Sequence, residues 1–400
     1  MDQHEAGSIP PTGSAAPLAQ DHTIVYRDPA GSGRGLDGPG IARLPGGPLV
    51  VVLPVKQRPN WACKVLSSSD DGQSWNQVAT LPYYSAIPWV FDNRLYLFAH
   101  TQGMSLRNDD MHLLCSGDGG LSWSAPVTIA EGHYWNCQTG MVLLDGKLYW
   151  AVDDLEPGKS LRGPRVICGD LTQNPMDRAS WRLSNVVPFP GLPEALLHPA
   201  ISGSYPSARM LEPNVIEVNG RIRVLMCVKP PMQATTGLGA VFDLHDDDRT
   251  LDLTFTQYHP MPGGQVKFCV VKDVVTGLFW MTGNLAVDGQ DVFAWADPAE
   301  HRGDGSYNGA IGGNDRRFLM LHYGLDGLNW FPAGCIARAG RLSQSFMYPS
   351  HLIDGDDLLV VARSSLHGDN RHDADHATFH RIRNFRTLAM NLRQDTDGAA

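Results

Sequence analysis

SSSDDGQSW at residues 67–75 and CSGDGGLSW at residues 115–123 share one polar skeleton, Ser-x-Asp-x-Gly-x-Ser-Trp. In a turn of this composition the Asp carboxylate and the first Ser hydroxyl can accept hydrogen bonds from backbone N–H groups, and Gly permits a positive φ. The Trp that ends each stretch can pack between neighbouring sheets. We therefore expect Asp70 and Asp118 to be structural residues rather than catalysts.

Alignment on these turns reveals a unit that recurs along the chain. It contains an apolar strand, a tight Gly or Asn turn, a second strand, a long polar loop, a third strand, the Ser-x-Asp turn and a fourth strand. Short apolar runs bounded by NG, DG or PGG are typical of strands and hairpins. Six units can be counted, and a seventh could lie hidden in 184–209 or 284–316. This pattern predicts an all-β propeller of four-stranded blades.

The two ends of the chain complete the domain prediction. The sixth unit lacks a fourth strand, and HTIVYR at residues 22–27 is a strand without a partner. We expect HTIVYR to close the last blade, because an open sheet edge would otherwise remain. This gives one propeller domain over residues 22–388, a disordered leader over 1–21 and a tail over 389–400.

Charge and cysteine content restrict the classes of partner. A formal net charge of -10 and a pI near 5.8 provide no basic face, so we expect neither nucleic acid nor a membrane as partner. No export signal is visible, and the seven cysteines are scattered without a CxxC pair. We predict buried thiols and a cytoplasmic location, although a mature secreted form stays open. The sequence leaves the oligomeric state open.

Strand order sorts the loops onto two faces. Short turns and the Ser-x-Asp turns share one face, while the entries to the innermost strands and the long polar loops share the other. Polar and aromatic side chains from every unit converge on this second face, which makes it the expected ligand site.

Longer segments resemble the sialidase superfamily of Asp-box (BNR repeat) propellers, and within it the ulvan lyases and the enzymes that cleave terminal rhamnose from glucuronate. The segments that carry the resemblance include GHYWNCQTGMVLLDGKLYWAVDD (132–154), LEPNVIEVNGRI (211–222) and DGDDLLVVARSSLHGDNRHDADHATFHRIRNF (354–385). The resemblance implies an enzyme that cleaves a glycosidic bond in an acidic, uronate-containing carbohydrate.

For a lyase, the resemblance implies a base, an acid and a group that neutralises the uronate carboxylate. His133 matches the position of a functional His in these relatives and is the expected base, with His100 as a second His. Tyr348 is the candidate acid, and Arg363 with Arg209 could bind the carboxylate in bidentate fashion. Further substrate contacts are expected from Lys267, Glu212, Asn214, Tyr84, Trp135, Lys56 and Arg165.

Two other classes of function stay open. A glycoside hydrolase would use carboxylates such as Asp37, Asp153 and Glu212. A sialidase would pair Tyr348 with Glu212, but the arginine expected before the first innermost strand is missing, because the chain reads LDGPGIA there. A glycan-binding propeller without catalysis would keep only the aromatic side chains.

HGDNRHDADH (367–376) crowds potential metal ligands into ten residues. His372, Asp373 and His376 could hold a structural divalent cation, calcium or zinc. The same stretch could equally be a polar loop ordered by its own side chains. The predicted chemistry requires no cofactor.

Overall fold

The computed structural model describes residues 16–29, 35–57, 60–100, 110–135, 138–155, 162–193, 209–229, 237–286, 315–341, 343–368, 371–372 and 374–390. Within these ranges the chain forms 25 β-strands and two single-turn 3₁₀ segments, Arg178–Ser180 and Phe385–Leu388. The strands form six antiparallel sheets, which are the six blades of a β-propeller. No helix in the described part of the chain is long and apolar enough to cross a membrane.

Each blade runs from an innermost to an outermost strand. Blade 1 contains β2 (Gly40–Arg43), β3 (Leu49–Gln57), β4 (Asn60–Ser68) and β5 (Asn76–Leu81), and blade 2 contains β6 (Ser85–Phe91), β7 (Arg94–His100), β8 (Met111–Ser116) and β9 (Val127–Ala130). Blade 3 contains β10 (Tyr134–Trp135), β11 (Val142–Leu144), β12 (Lys147–Leu155), β13 (Arg162–Asp170) and β14 (Trp181–Leu183). Blade 4 contains β15 (Arg209–Val218), β16 (Arg221–Lys229), β17 (Leu238–Asp246) and β18 (Leu251–Pro260).

Blade 5 contains β19 (Cys269–Lys272), β20 (Phe279–Asn284), β21 (Phe318–Gly324) and β22 (Trp330–Arg338). Blade 6 contains β23 (Ser345–Asp354), β24 (Asp357–Ser365), β25 (His376–Ile382) and β1 (Thr23–Arg27). The predicted closure is confirmed: β1 pairs antiparallel with β25, with Thr23 opposite Phe379 and Arg27 opposite His376. The last blade therefore joins the two ends of the chain and closes the ring.

Two sequence predictions about boundaries need correction. The amides of Leu18 and Ala19 donate to carbonyls of β22, so the fold begins before residue 22 and the predicted leader over 1–21 is too long. The part of the predicted leader over residues 1–15 lies outside the residues that the structure describes. In blade 3, β10 and β11 share the innermost position, whereas the repeat unit predicts a single first strand in each blade.

Among the described residues the core consists of six apolar clusters, one between each pair of adjacent blades. Strand β3 is covered on both sides: its run from Leu49 to Leu53 is apolar on both faces, and every residue in it is fully buried. A blade strand has a neighbouring sheet on each side, so it cannot alternate apolar and polar residues as a half-exposed strand does. The six described cysteines are free, and five of them are buried; the cytoplasmic location stays a prediction.

The two Ser-x-Asp turns have the predicted geometry. Asp118 Oδ1 accepts from the amides of Leu121 and Ser122 at 3.1 and 2.9 Å, and Ser116 Oγ accepts from the Gly120 amide at 2.8 Å. Gly120 has a φ of +94°. In the first turn, Trp75 and Phe379 of blade 6 meet edge to face, with ring centroids 5.5 Å apart. The turn of one blade therefore packs against the preceding blade.

Asp118→Ala is expected to lower the melting temperature by a few degrees, because the turn amides lose their acceptor. Hydrogen bonds donated by Ser122 and Ser116 lower the pKa of Asp118 to about 2. A lowered folded-state pKa means that this stabilisation is present above the ordinary Asp pKa of about 3.9 and is lost as the pH falls toward about 2. Thermal melts across this range test the prediction, with Asp252→Ala on the exposed side of β18 as control. An Asp118→Ala protein that keeps the wild-type melting temperature would contradict a structural role.

Candidate active site

The innermost strands begin, and the second strands end, on one face of the propeller, which we call the loop-bearing face. Asp37 precedes β2, Tyr84 precedes β6, Tyr348 lies near the start of β23, and Arg363 lies near the end of β24. The hairpin turns and the Ser-x-Asp turns occupy the opposite, turn-bearing face. This placement follows from strand order, as the sequence predicted.

A buried ion pair joins blade 6 to the entry of blade 1. Arg363 Nη1 donates to Asp37 Oδ1 at 3.0 Å, and the Tyr84 hydroxyl donates to Asp37 Oδ2 at 2.8 Å. Arg363 Nη2 donates to the carbonyl of His372. The Arg363 side chain is only 4% exposed and that of Asp37 is 14% exposed. A substrate carboxylate would therefore have to compete with Asp37 for the Arg363 guanidinium, which the sequence-based assignment of Arg363 did not foresee.

Two guanidinium groups border the ring of Tyr348. The Arg363 Cζ lies 4.6 Å from the ring centroid, and the Arg316 Cζ lies 5.2 Å from it. A side chain at Gly38 would place its Cβ 3.3 Å from Tyr348 Cδ1, so the absence of a side chain there makes room for the ring. Cation–π contact stabilises this arrangement, and the positive field around the ring favours negative charge nearby.

Tyr348 and Glu212 have strained backbones. Their φ angles are +50° and +60°, and each lies in a bulge of an innermost strand where the register of the pairing shifts. The other described non-glycine residues with positive φ are Asp or Asn residues in turns or at the start of the last 3₁₀ segment. A left-handed conformation of a larger residue costs about 1–3 kcal/mol and persists only where the surroundings enforce it. Such strain is concentrated at functional sites.

Glu212 is held by groups from three strands. Its backbone amide donates to both carboxylate oxygens of Asp153, at 3.1 and 3.3 Å. Its carbonyl accepts from Asn214 Nδ2 at 3.4 Å, and its Oε2 accepts from the Cys227 thiol at 3.4 Å. Glu212 is 4% exposed and Asp153 is fully buried. The backbone of Glu212 is therefore closely held, and its carboxylate accepts one hydrogen bond from a thiol.

Aromatic rings line the part of the face between blades 1 and 3. The ring of Tyr84 lies 4.0 Å from Trp61, 5.4 Å from Trp135 and 5.5 Å from His100, measured between centroids. Burial raises the pKa of Tyr84 well above its ordinary value, so its hydroxyl acts as a neutral donor to Asp37. His133 stands directly before β10 and two residues before Trp135.

Several predicted substrate contacts have other bonding roles here. Asn214 of blade 4 is fully buried. Its side-chain oxygen accepts from the backbone amides of Gly140 in blade 3 and Val270 in blade 5. Arg165 forms an ion pair with Asp154, with Nη1 2.8 Å from Oδ2. Lys267, also fully buried, donates to the Pro349 carbonyl. The side chains of Arg209 and Lys56 lie outside the described part of the structure.

The structure thus brings Arg363, Tyr348, Tyr84, Trp135 and His100 into one region. It adds Arg316, which the sequence analysis missed. The only sequence signal for Arg316 was its position two residues before β21, at the end of a long interval without recognisable repeats.

The loop at 367–376 is ordered by its own groups where it is described. His376 Nδ1 lies 3.0 Å from Asp375 Oδ1, and the rings of His376 and His367 meet edge to face. Burial raises the pKa of Asp375, but hydrogen bonds from His376 and from two backbone amides outweigh burial and lower it to about 2. No cluster of three metal-ligating side chains occurs among the described residues, and Asp373 falls outside them. A calcium or zinc ion held by His372, Asp373 and His376 stays a prediction.

No protein-family model matches the chain, and no curated protein matches it in sequence. Solved structures do share its fold. An alpha-L-arabinanase of Penicillium chrysogenum complexed with arabinobiose has a TM-score of 0.57 at 13% identity, covering 91% of this chain and 98% of that one. The alpha-L-arabinofuranosidase Arb93A of Fusarium graminearum has a TM-score of 0.56 at 11% identity, covering 92% and 98%.

The Trypanosoma rangeli sialidase in complex with sialic acid has a TM-score of 0.54 at 15% identity. The match covers 92% of this chain but only 58% of the sialidase chain. At such low identities the likeness establishes the fold alone: the chain has the propeller fold that arabinanases, arabinofuranosidases and sialidases also have.

Proposed function

We propose that the protein hydrolyses a glycosidic bond at the loop-bearing face, with Tyr348 and Glu212 as the reacting pair. The observation that carries this proposal is the strained, left-handed backbone of these two residues, each on an innermost strand at the same face. A protein retains such strain where a side chain must be aimed precisely. The three enzymes with the same fold, all named for action on sugars, support a glycan as substrate.

In this reaction the Tyr348 oxygen attacks the anomeric carbon, the glycosidic C–O bond breaks, and the Glu212 carboxylate accepts the phenol proton. The departing oxygen takes a proton from solvent water. The guanidinium groups of Arg363 and Arg316 stabilise the negative charge that develops on the phenol oxygen. Water then attacks the anomeric carbon and breaks its bond to the Tyr348 oxygen, the phenol regains its proton from Glu212, and the proton of the attacking water returns to solvent. Asp37 accepts from both Arg363 and Tyr84, which suits an ionised carboxylate that anchors Arg363 rather than a proton donor.

An acidic carbohydrate stays the preferred substrate class. An anionic sugar at the Tyr348 ring would meet the Arg316 guanidinium and could compete with Asp37 for that of Arg363. Trp61, Tyr84 and Trp135 provide apolar ring surface against which the C–H groups of a sugar can pack.

β-Elimination is the second candidate mechanism. Its support is the position of His133 in the sequence, two residues before Trp135, whose ring lies 5.4 Å from Tyr84. In an elimination, His133 would remove the C5 proton of a uronate and Tyr348 would protonate the leaving oxygen.

Product masses separate these candidates. The protein is incubated with arabino-oligosaccharides, sialyllactose and uronate-containing oligosaccharides, and the molecular masses of the products are measured by mass spectrometry. Hydrolysis adds one water to the summed products, whereas elimination adds none and creates an unsaturated uronate that absorbs in the ultraviolet. We expect the gain of one water. An unsaturated product whose formation is lost in His133→Ala would establish elimination instead, and binding without any product would indicate a glycan-binding propeller.

A further inference from the structure

The two strained residues are held in the same way by the blade before them. Asp153, near the end of β12 in blade 3, accepts the Glu212 amide of blade 4. Lys267, just before β19 in blade 5, donates to the Pro349 carbonyl directly after Tyr348 in blade 6. Both charged side chains are fully buried. The buried carboxylate of Asp153 therefore holds the bulge at Glu212, and the buried ammonium group of Lys267 holds the bulge at Tyr348.

The local sequence explains why these bulges need external support. Pro213 and Pro349 follow the strained residues and have no N–H to donate to a neighbouring strand. Strand pairing skips residues 212–213 in β15 and 348–349 in β23. Backbone groups of the bulges therefore need partners from outside the ladder.

Neutral side chains could supply such partners at lower cost. Burial of a charge is unfavourable unless strong hydrogen bonds compensate it, and charge-assisted hydrogen bonds are both shorter and stronger than neutral ones. A carboxylate at the first bulge and an ammonium group at the second therefore provide the stronger hydrogen bonds that a strained backbone requires.

We propose that Asp153 and Lys267 are positioning residues, which hold Glu212 and Tyr348 in their left-handed conformations and so aim the reacting pair. This inference rests on the proposed function for its catalytic consequence. Its structural half, that each buried charge maintains a bulge, can be tested without any substrate.

Hydrogen exchange measured by mass spectrometry tests the structural half. Asp153→Leu keeps the approximate volume and removes both acceptor oxygens, whereas Asp153→Asn keeps one. We expect amide exchange in the segment 209–218 to accelerate at least about tenfold in Asp153→Leu and less in Asp153→Asn. Asp273→Asn is the control, because Asp273 is an equally buried carboxylate paired with Arg386 on the turn-bearing face.

For the second bulge, Lys267→Met keeps the length of the side chain and removes the donor. The segment 345–354 should then exchange faster while 209–218 stays unchanged. Unchanged exchange at both bulges in the folded variants, or equal acceleration in Asp273→Asn, would overturn the proposal.

Kinetics test the catalytic half on whichever oligosaccharide yields product in the panel described above. Asp153→Asn should lower kcat by about 100-fold with KM changed only a few-fold, because a misaimed residue affects the transition state more than binding. Asp273→Asn should leave kcat unchanged. An unchanged kcat in a folded Asp153→Leu protein would refute positioning even if hydrolysis itself is established. If no oligosaccharide yields product, the proposed hydrolysis fails, and the exchange experiment alone decides whether the charges hold the bulges.

Discussion

Tyr348→Phe should lower turnover of the glycan substrate by about three orders of magnitude or more, because it removes the oxygen that we propose attacks the anomeric carbon. The Phe ring keeps its place between Arg363 and Arg316, so the variant should fold and should bind the sugar with little change. Initial rates and circular dichroism of the purified variant provide the measurement.

Tyr258→Phe is the matched control for this loss. It makes the same chemical change on outer strand β18, where the Tyr258 hydroxyl donates to the Gly191 carbonyl at 2.6 Å. Its turnover should equal that of the wild type. If a folded Tyr348→Phe protein also turns over at the wild-type rate, Tyr348 is not the nucleophile, and His133 becomes the residue to test.

Asp37→Ala should lower the free energy of unfolding by about 3–5 kcal/mol, the usual effect of removing one partner from a buried ion pair. It leaves the Arg363 guanidinium, which is 4% exposed, without its carboxylate, and it removes the acceptor of the Tyr84 hydroxyl. Urea unfolding of wild type and variant measures the change.

A double-mutant cycle shows whether this cost comes from the ion pair. In an Arg363→Met background, Asp37→Ala should cost much less, because no buried charge is left behind. Asp356→Ala is the control, since Asp356 is 83% exposed in its pair with Arg386 and should change stability by at most about 1 kcal/mol. Equal costs for Asp37→Ala and Asp356→Ala would refute a stabilising role of the Asp37–Arg363 pair.

The Ser-x-Asp turns and the strands could be predicted because their determinants are local. Asp118 bonds to groups within four residues of itself, and a continuous apolar run such as that of β3 indicates a strand covered on both sides. Ring closure by β1 was also predictable, because the sixth unit lacks a fourth strand and the strand at residues 22–27 belongs to no other unit.

The split innermost position of blade 3 was not predictable in the same way. β10 covers only Tyr134–Trp135 and pairs with Asp153 and Asp154 of β12, apart from β11. Two residues are too short for an apolar pattern, so only their partners in the sheet define them as a strand.

By itself, the sequence determined the repeat, the fold, the closing strand and the face on which ligands are expected, because strand periodicity and turn chemistry act over a few neighbouring residues. Tertiary structure alone decided that Arg363 pairs with Asp37, 326 residues away, and that Arg316 borders Tyr348. It also decided the left-handed conformations of Glu212 and Tyr348. These features depend on how neighbouring blades meet around the axis, and no local pattern encodes the distance between side chains that different blades contribute.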